Sequence, residues 1–133
     1  MICLDTDVLS VFLRRGAPPP AQRRLAEITA SGHFTTSITL GELFYGAVRR
    51  RSASLVRAIE EYVRGEVSIL PFDEPAAESY ADIRVTLEAE GRRLDEADLR
   101  IAAICVARDL TLVTGNVRHF ERVPGLRVEN WLE

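Results

Sequence analysis

Apolar positions in this chain fall into two alternating kinds of segment. Short continuous runs cover residues 2–4, 34–36, 67–70, 110–113 and 126–128. A strand with one wet face alternates apolar and polar residues, whereas a strand covered on both faces reads as an unbroken run. These runs therefore predict short buried strands. Between them, apolar residues recur at every third or fourth place, which predicts helices. The expected helices cover residues 6–13, 20–30, 39 to about 50, 53–63, 74–90 and 96–108.

Punctuation supports these limits. "GAPPPAQ", from Gly16 to Gln22, ends one helix and opens the next with proline. Ser31 and Gly32 close the second helix, Ser52 caps the fourth, and Gly65 and Gly91 follow helix ends. Thr39 and Glu42 have capping-box spacing. Strands alternating with helices predict an α/β sandwich built on a mostly parallel sheet.

In such sheets, ligands bind outside the carboxyl ends of the strands. Asp5 stands at that end of the first run, after Ile2-Cys3-Leu4. Glu42 lies early in the helix after the second, Asp98 in the first turn of a later helix, and Thr114 and Asn116 in "VTGN" after residues 110–113. A parallel fold can bring all of them to one rim. Each acid also has a plainer reading. Asp5 fits a helix N-cap, Glu42 a capping box with Thr39, and Asp98 a favourable charge at a helix N-terminus. Asp95 and Glu96 read as cap and first-turn acid, and Asp7 as a solvated first-turn acid. Read together, oxygen donors without His or Cys suit a hard cation, Mg²⁺ or Mn²⁺. Phosphodiester hydrolysis is the matching chemistry.

Composition narrows the picture. The 133 residues suit one domain over 1–133, and 47% hydrophobic residues supply a core. No apolar run approaches the roughly 20 residues of a membrane span. "MICLDTD" lacks the features of a signal peptide, so a cytoplasmic protein is expected. Cys3 and Cys105 each sit in an apolar run and are expected as buried free thiols. The net charge of −3 argues against a general nucleic-acid binder. All 17 basic residues are arginine, with Arg14-Arg15, Arg92-Arg93 and Arg49-Arg50-Arg51 as local concentrations. Near the rim, Arg14, Arg15, Arg92, Arg93 and Arg118 are candidates for phosphate contacts.

Five ordered blocks then carry a family likeness: "LDTDVLS", "TSITLGELFYGA", "FDEPAAESYADIRVTLEAEGRRL", "DLRIAAICVARDLTLVTGN" and "RHFERVPGLRVENW". With these blocks the chain resembles the PIN-domain ribonucleases, in particular the VapC-type toxins of toxin–antitoxin pairs. The resemblance covers nearly the whole chain. It implies a three-layer α/β/α sandwich around a parallel sheet of four or five strands. It implies Mg²⁺-dependent endoribonuclease activity, with Mn²⁺ as a substitute, in which metal-activated water cuts RNA. By motif, Asp5, Glu42 and Asp98 match the family's metal-binding acids. Asn116 falls where many PIN domains carry a fourth acid, and Thr6 and Thr114 match supporting hydroxyls. Asp7 departs from the commoner Asn. The implied partners are an RNA substrate such as tRNA or rRNA, a VapB-type antitoxin and a second copy of the chain. Leu43, Phe44, Ala47 and Tyr62 are candidates for an antitoxin groove or dimer face, with core packing as the default.

Two other functions remain to be weighed. A Mg²⁺-dependent phosphatase-like hydrolase would use "DTD" as nucleophile and partner acid, but the chain has no lysine to neutralise phosphate. An inactive PIN-like binding module is opposed by the presence of all three acids. Neither His33 nor His119 has an evident acid partner, so Ser10 and Ser37 suggest no Ser–His–Asp triad, and His119 is expected to pack or cap locally.

Overall fold

The computed structural model describes residues 1–29 and 32–132. The elements run β1 (Ile2–Leu4), α1 (Thr6–Arg15), α2 (Pro19–Thr29), β2 (His33–Thr36), α3 (Ser37–Arg49), α4 (Ala53–Val63), β3 (Val67–Leu70), α5 (Glu74–Ala89), α6 (Glu96–Ala107), β4 (Thr111–Val113), α7 (Val117–Phe120) and β5 (Val128–Glu129). The strands form one sheet in the order β3-β2-β1-β4-β5, every neighbouring pair parallel. Helices cover both faces, giving the expected three-layer sandwich.

Period-two alternation divides the core between the faces. Cys3 and Leu112 point to one side, packed with Ile83 and Leu87 of α5 and Ile101 and Ile104 of α6. Leu4 and Val113 point to the other, with Val8 and Leu9 of α1, Leu43 and Ala47 of α3 and Ile59 of α4. With both faces covered, all of β1 is buried, which explains its unbroken apolar run. The thiols of Cys3 and Cys105 are free and buried, as expected.

Several limits differ from the sequence reading. The capping box on Thr39 does not form. Thr36 caps α3 instead, its side chain accepting from the Thr39 N–H at 3.0 Å. The helix thus starts directly off β2 and leaves Glu42 free for other contacts. Ser52, Asp73 and Asp95 cap α4, α5 and α6 by the same bond. The predicted end of the second helix, Ala30 and Ser31, lies outside the described residues. The short α7 was not predicted, because one turn is too brief to show a period. β5 lies later than the apolar run 126–128, because its limits come from pairing of Val128 and Glu129 with Leu112 and Val113. Among the described residues, no helix is long and apolar enough to cross a membrane.

Candidate active site

β1 sits mid-sheet, and its carboxyl end opens between β2 and β4. Asp5 follows it directly. Its N–H donates to the Val113 carbonyl at 2.9 Å, which ties it to β4. Asp5 stands at the N-cap position of α1, yet its side chain makes no capping bond. Oδ2 instead accepts from the Thr114 hydroxyl at 2.8 Å. Oδ1 is buried without a hydrogen-bond partner. A buried, half-satisfied carboxylate is costly, so this geometry does not fit a simple cap.

The neighbouring acids act on one another electrostatically. Burial pushes the Asp5 carboxyl up to about 7, the charges of Asp7 and Asp98 adding to the rise while the Thr114 hydroxyl and the Thr6 backbone oppose it. Asp98, half-buried in the first turn of α6, rises to about 6 through burial and then the charges of Asp95, Glu42 and Asp7. Asp5, Asp7, Glu42 and Asp98 therefore share one field, although nearly forty residues or more separate the three chain segments that carry them. α6 runs back to the start of β4, which puts its N-terminus at the carboxyl edge.

Two threonines hold the carboxylates. Thr6 Oγ1 donates to Glu42 Oε1 at 2.7 Å and lies 3.1 Å from the Thr39 hydroxyl. Thr114 Oγ1 donates to Asp5 and accepts from the Asn116 N–H at 3.0 Å. The Asn116 backbone thus joins the site, while its side-chain Nδ2 lies 2.9 Å from His119 Nδ1. His119 is exposed and makes this local contact with Asn116. His33 Nε2 lies 2.8 Å from the Tyr62 hydroxyl, and among the described residues neither histidine forms a hydrogen bond or ion pair with an acid.

Sequence reasoning left Asp7 open, and the structure fastens it. Asp7 Oδ2 accepts from the Gly115 N–H at 2.9 Å. A Cβ at Gly115 would come within 2.8 Å of that oxygen, so only glycine permits this approach. The glycine in "VTGN" was the available signal.

The donor set fits a hard divalent cation. It offers carboxylate and hydroxyl oxygens only, and the open Oδ1 of Asp5 supplies the least satisfied donor. Among the described residues no three His, Cys, Asp or Glu side chains are drawn together as a closed ligand set.

The PIN domain model matches residues 2–126. The chain belongs to the PIN-domain family. Within it, the chain is 34% identical to the tRNA(fMet)-specific endonuclease VapC of Shigella flexneri over 128 residues, which is 96% of each protein. It is 33% identical to ribonuclease VapC2 of Haemophilus influenzae over 129 residues, 97% of this chain and 96% of that one. The fold superposes on the VapBC2 structure from Rickettsia felis, bound to a promoter DNA fragment, with a TM-score of 0.91 and 28% identity, covering 98% of this chain and 99% of that one. This PIN domain therefore sits with the VapC ribonucleases in sequence and in architecture.

Proposed function

We propose that this VapC-type PIN domain, taking in residues 1–133, is the toxin of a toxin–antitoxin pair and an endoribonuclease. The observation that carries the catalytic reading is Asp5: a buried carboxylate with an open oxygen at the mouth of a parallel sheet, raised by burial and then by the charge of Asp98, which in turn feels that of Glu42. Asp5, Glu42 and Asp98 would hold one Mg²⁺, or Mn²⁺ in its place. When bound, such an ion lowers the pKa of water and stabilises charge on a phosphoryl oxygen. Thr6 fixes the Glu42 carboxylate and Thr114 that of Asp5, so neither has to reorganise during the reaction. Asn116 braces Thr114 from the β4 side. Among the described residues no serine, cysteine or histidine is placed as a covalent nucleophile.

The substrate class is RNA of the cytoplasm, with tRNA the first candidate because one relative is named a tRNA(fMet)-specific endonuclease, and rRNA the second. The partner is a VapB-type antitoxin, since the matching solved structure is a VapBC complex. A groove of about 90 Å³ between α1, α3 and α4, lined by Leu13, Leu43, Leu55 and Ile59, leads to Thr6 and Glu42 and suits its tail. Leu43 and Ala47 belong to the core, while Tyr45 and Val48 on the same helix are exposed and suit a dimer face.

The test is cleavage of purified tRNA and rRNA by the chelator-treated protein, with Mg²⁺ or Mn²⁺ returned. Cleavage should appear only with the ion, and Asp98→Asn should abolish it and the growth inhibition while leaving the circular dichroism spectrum unchanged. An Asp98→Asn protein that still cuts RNA at the normal rate refutes the assignment.

A further inference from the structure

A cleft of about 530 Å³ is lined by Gly91, Arg92, Arg93, Arg118, Glu121 and Arg122, residues that lie close in sequence to Asp98 and Asn116. We infer that it is the track for the RNA backbone next to the scissile bond, binding phosphates through its four arginines. This inference rests on the ribonuclease reading and extends it to a second, separate surface.

Position is the first reason. One wall, Arg92 and Arg93, belongs to the segment that ends at Asp95, the cap of α6, and so at Asp98 in its first turn. The other wall, Arg118 and Arg122, follows Asn116 at the start of α7. Both walls thus grow out of the two segments that frame the acids on this side.

Charge is the second reason. The protein carries a net −3, yet four arginines face one another here against Glu121 alone. Outside the cleft some guanidinium groups are matched, Arg24 with Glu129, Arg84 with Glu88 and Glu96, Arg100 with Glu96, Arg108 with Asp73, and Arg127 with Asp109, while Arg49 and Arg57, among others, form no ion pair among the described residues. In the cleft, Arg92 approaches Glu90 only at 3.9 Å. Among the described residues Arg93, Arg118 and Arg122 form no ion pair. Like charges gathered in this way repel one another, and a polyanion removes that cost.

The lining also selects the ligand. Guanidinium forks match phosphodiester oxygens in a bidentate way. No aromatic side chain lines the cleft, so bases have nothing to stack on, and no apolar anchor is offered to a protein partner. The cleft therefore reads the sugar–phosphate backbone and not base sequence. Target choice then lies with the shape of the RNA and with contacts at the rim.

The test compares Arg93→Ala/Arg122→Ala with the control Arg49→Ala/Arg57→Ala, which removes equal charge from exposed sites on α3 and α4 in the opposite layer. Binding of end-labelled bulk tRNA is read by fluorescence anisotropy in the non-cleaving Asp98→Asn background, across a salt series. The cleft pair should weaken binding by about ten-fold and reduce the slope of log K against log salt by roughly 0.7 per lost contact. In the active background KM for tRNA should rise while kcat holds. The loss should be the same for short RNAs of unrelated sequence. Equal effects from both pairs, or unchanged affinity and slope, overturn the inference. So does loss of poly-glutamate binding with tRNA binding intact, which would assign the cleft to an acidic protein. The ribonuclease reading is judged separately, by cation-dependent cleavage and its loss in Asp98→Asn.

Discussion

The Thr114 hydroxyl donates to Asp5 Oδ2 at 2.8 Å across 109 positions of sequence. It joins the carboxyl ends of β1 and β4 at the point where the fold buries a carboxylate. Thr114→Val keeps the shape and removes the donor. Removing a partner that orients a metal-ligating side chain typically costs about 10–100-fold in metal affinity, so Mn²⁺ affinity should fall by at least about ten-fold, with Thr114→Ser close to wild type. Titration calorimetry with Mn²⁺ checks this.

Asp5 itself should destabilise the metal-free protein at neutral pH. Its carboxyl rises to about 7 in the fold, against about 3.9 when unfolded. A raised carboxyl favours the protonated form, so its contribution is fully present below about pH 4 and lost as pH climbs through about 7. Asp5→Asn should therefore melt higher than wild type at pH about 8 in chelator, and match it near pH about 4. Saturating Mg²⁺ should close the gap at high pH by stabilising the wild type alone. Thermal melts at the two pH values, with and without the ion, measure this.

Gly115 lies so near Asp7 that a methyl group cannot be added without movement. Gly115→Ala should push the Asp7 carboxylate away from the backbone N–H it now accepts from. Stability should change by less than about 1 kcal/mol, because Gly115 is exposed and the methyl group meets only the side-chain ends of Asp7 and Leu132. Cleavage should fall, because the same turn carries Thr114 and Asn116. A denaturant midpoint and a rate on tRNA give both numbers.

His33 is buried against Tyr62, and burial holds its imidazolium below the usual pKa, opposed by the charge of Glu66. A lowered histidine favours the neutral form. Its contribution is present above pH about 6.5 and lost as pH falls toward the lower folded value. His33→Gln, which does not titrate, should show a flatter loss of stability between pH about 6.5 and about 5. Urea unfolding at the two pH values checks the slope.

How much of this was legible in the sequence varies residue by residue. The buried strands were plain, because double-sided burial demands unbroken apolar runs such as Ile2-Cys3-Leu4. The caps Ser52 and Asp95 were plain too, because capping is a contact over three residues. Asp5, Glu42 and Asp98 could be picked as candidates from their places relative to strands. Their plainer readings could not be dismissed from sequence, since an N-cap and a metal ligand look alike in one dimension. Thr36 took the cap that Thr39 and Glu42 seemed spaced for, and that substitution released Glu42 to Thr6.

The order of residues by itself thus determined which segments become strands and helices, because burial and capping act over a few neighbours. Only the tertiary structure decided which carboxylates meet, that Asp7 is pinned by Gly115, and that Arg93 and Arg122 share a cleft. Those relations join segments far apart in the chain, and their strength depends on distance and on exclusion of water, which exist only once the sheet has assembled.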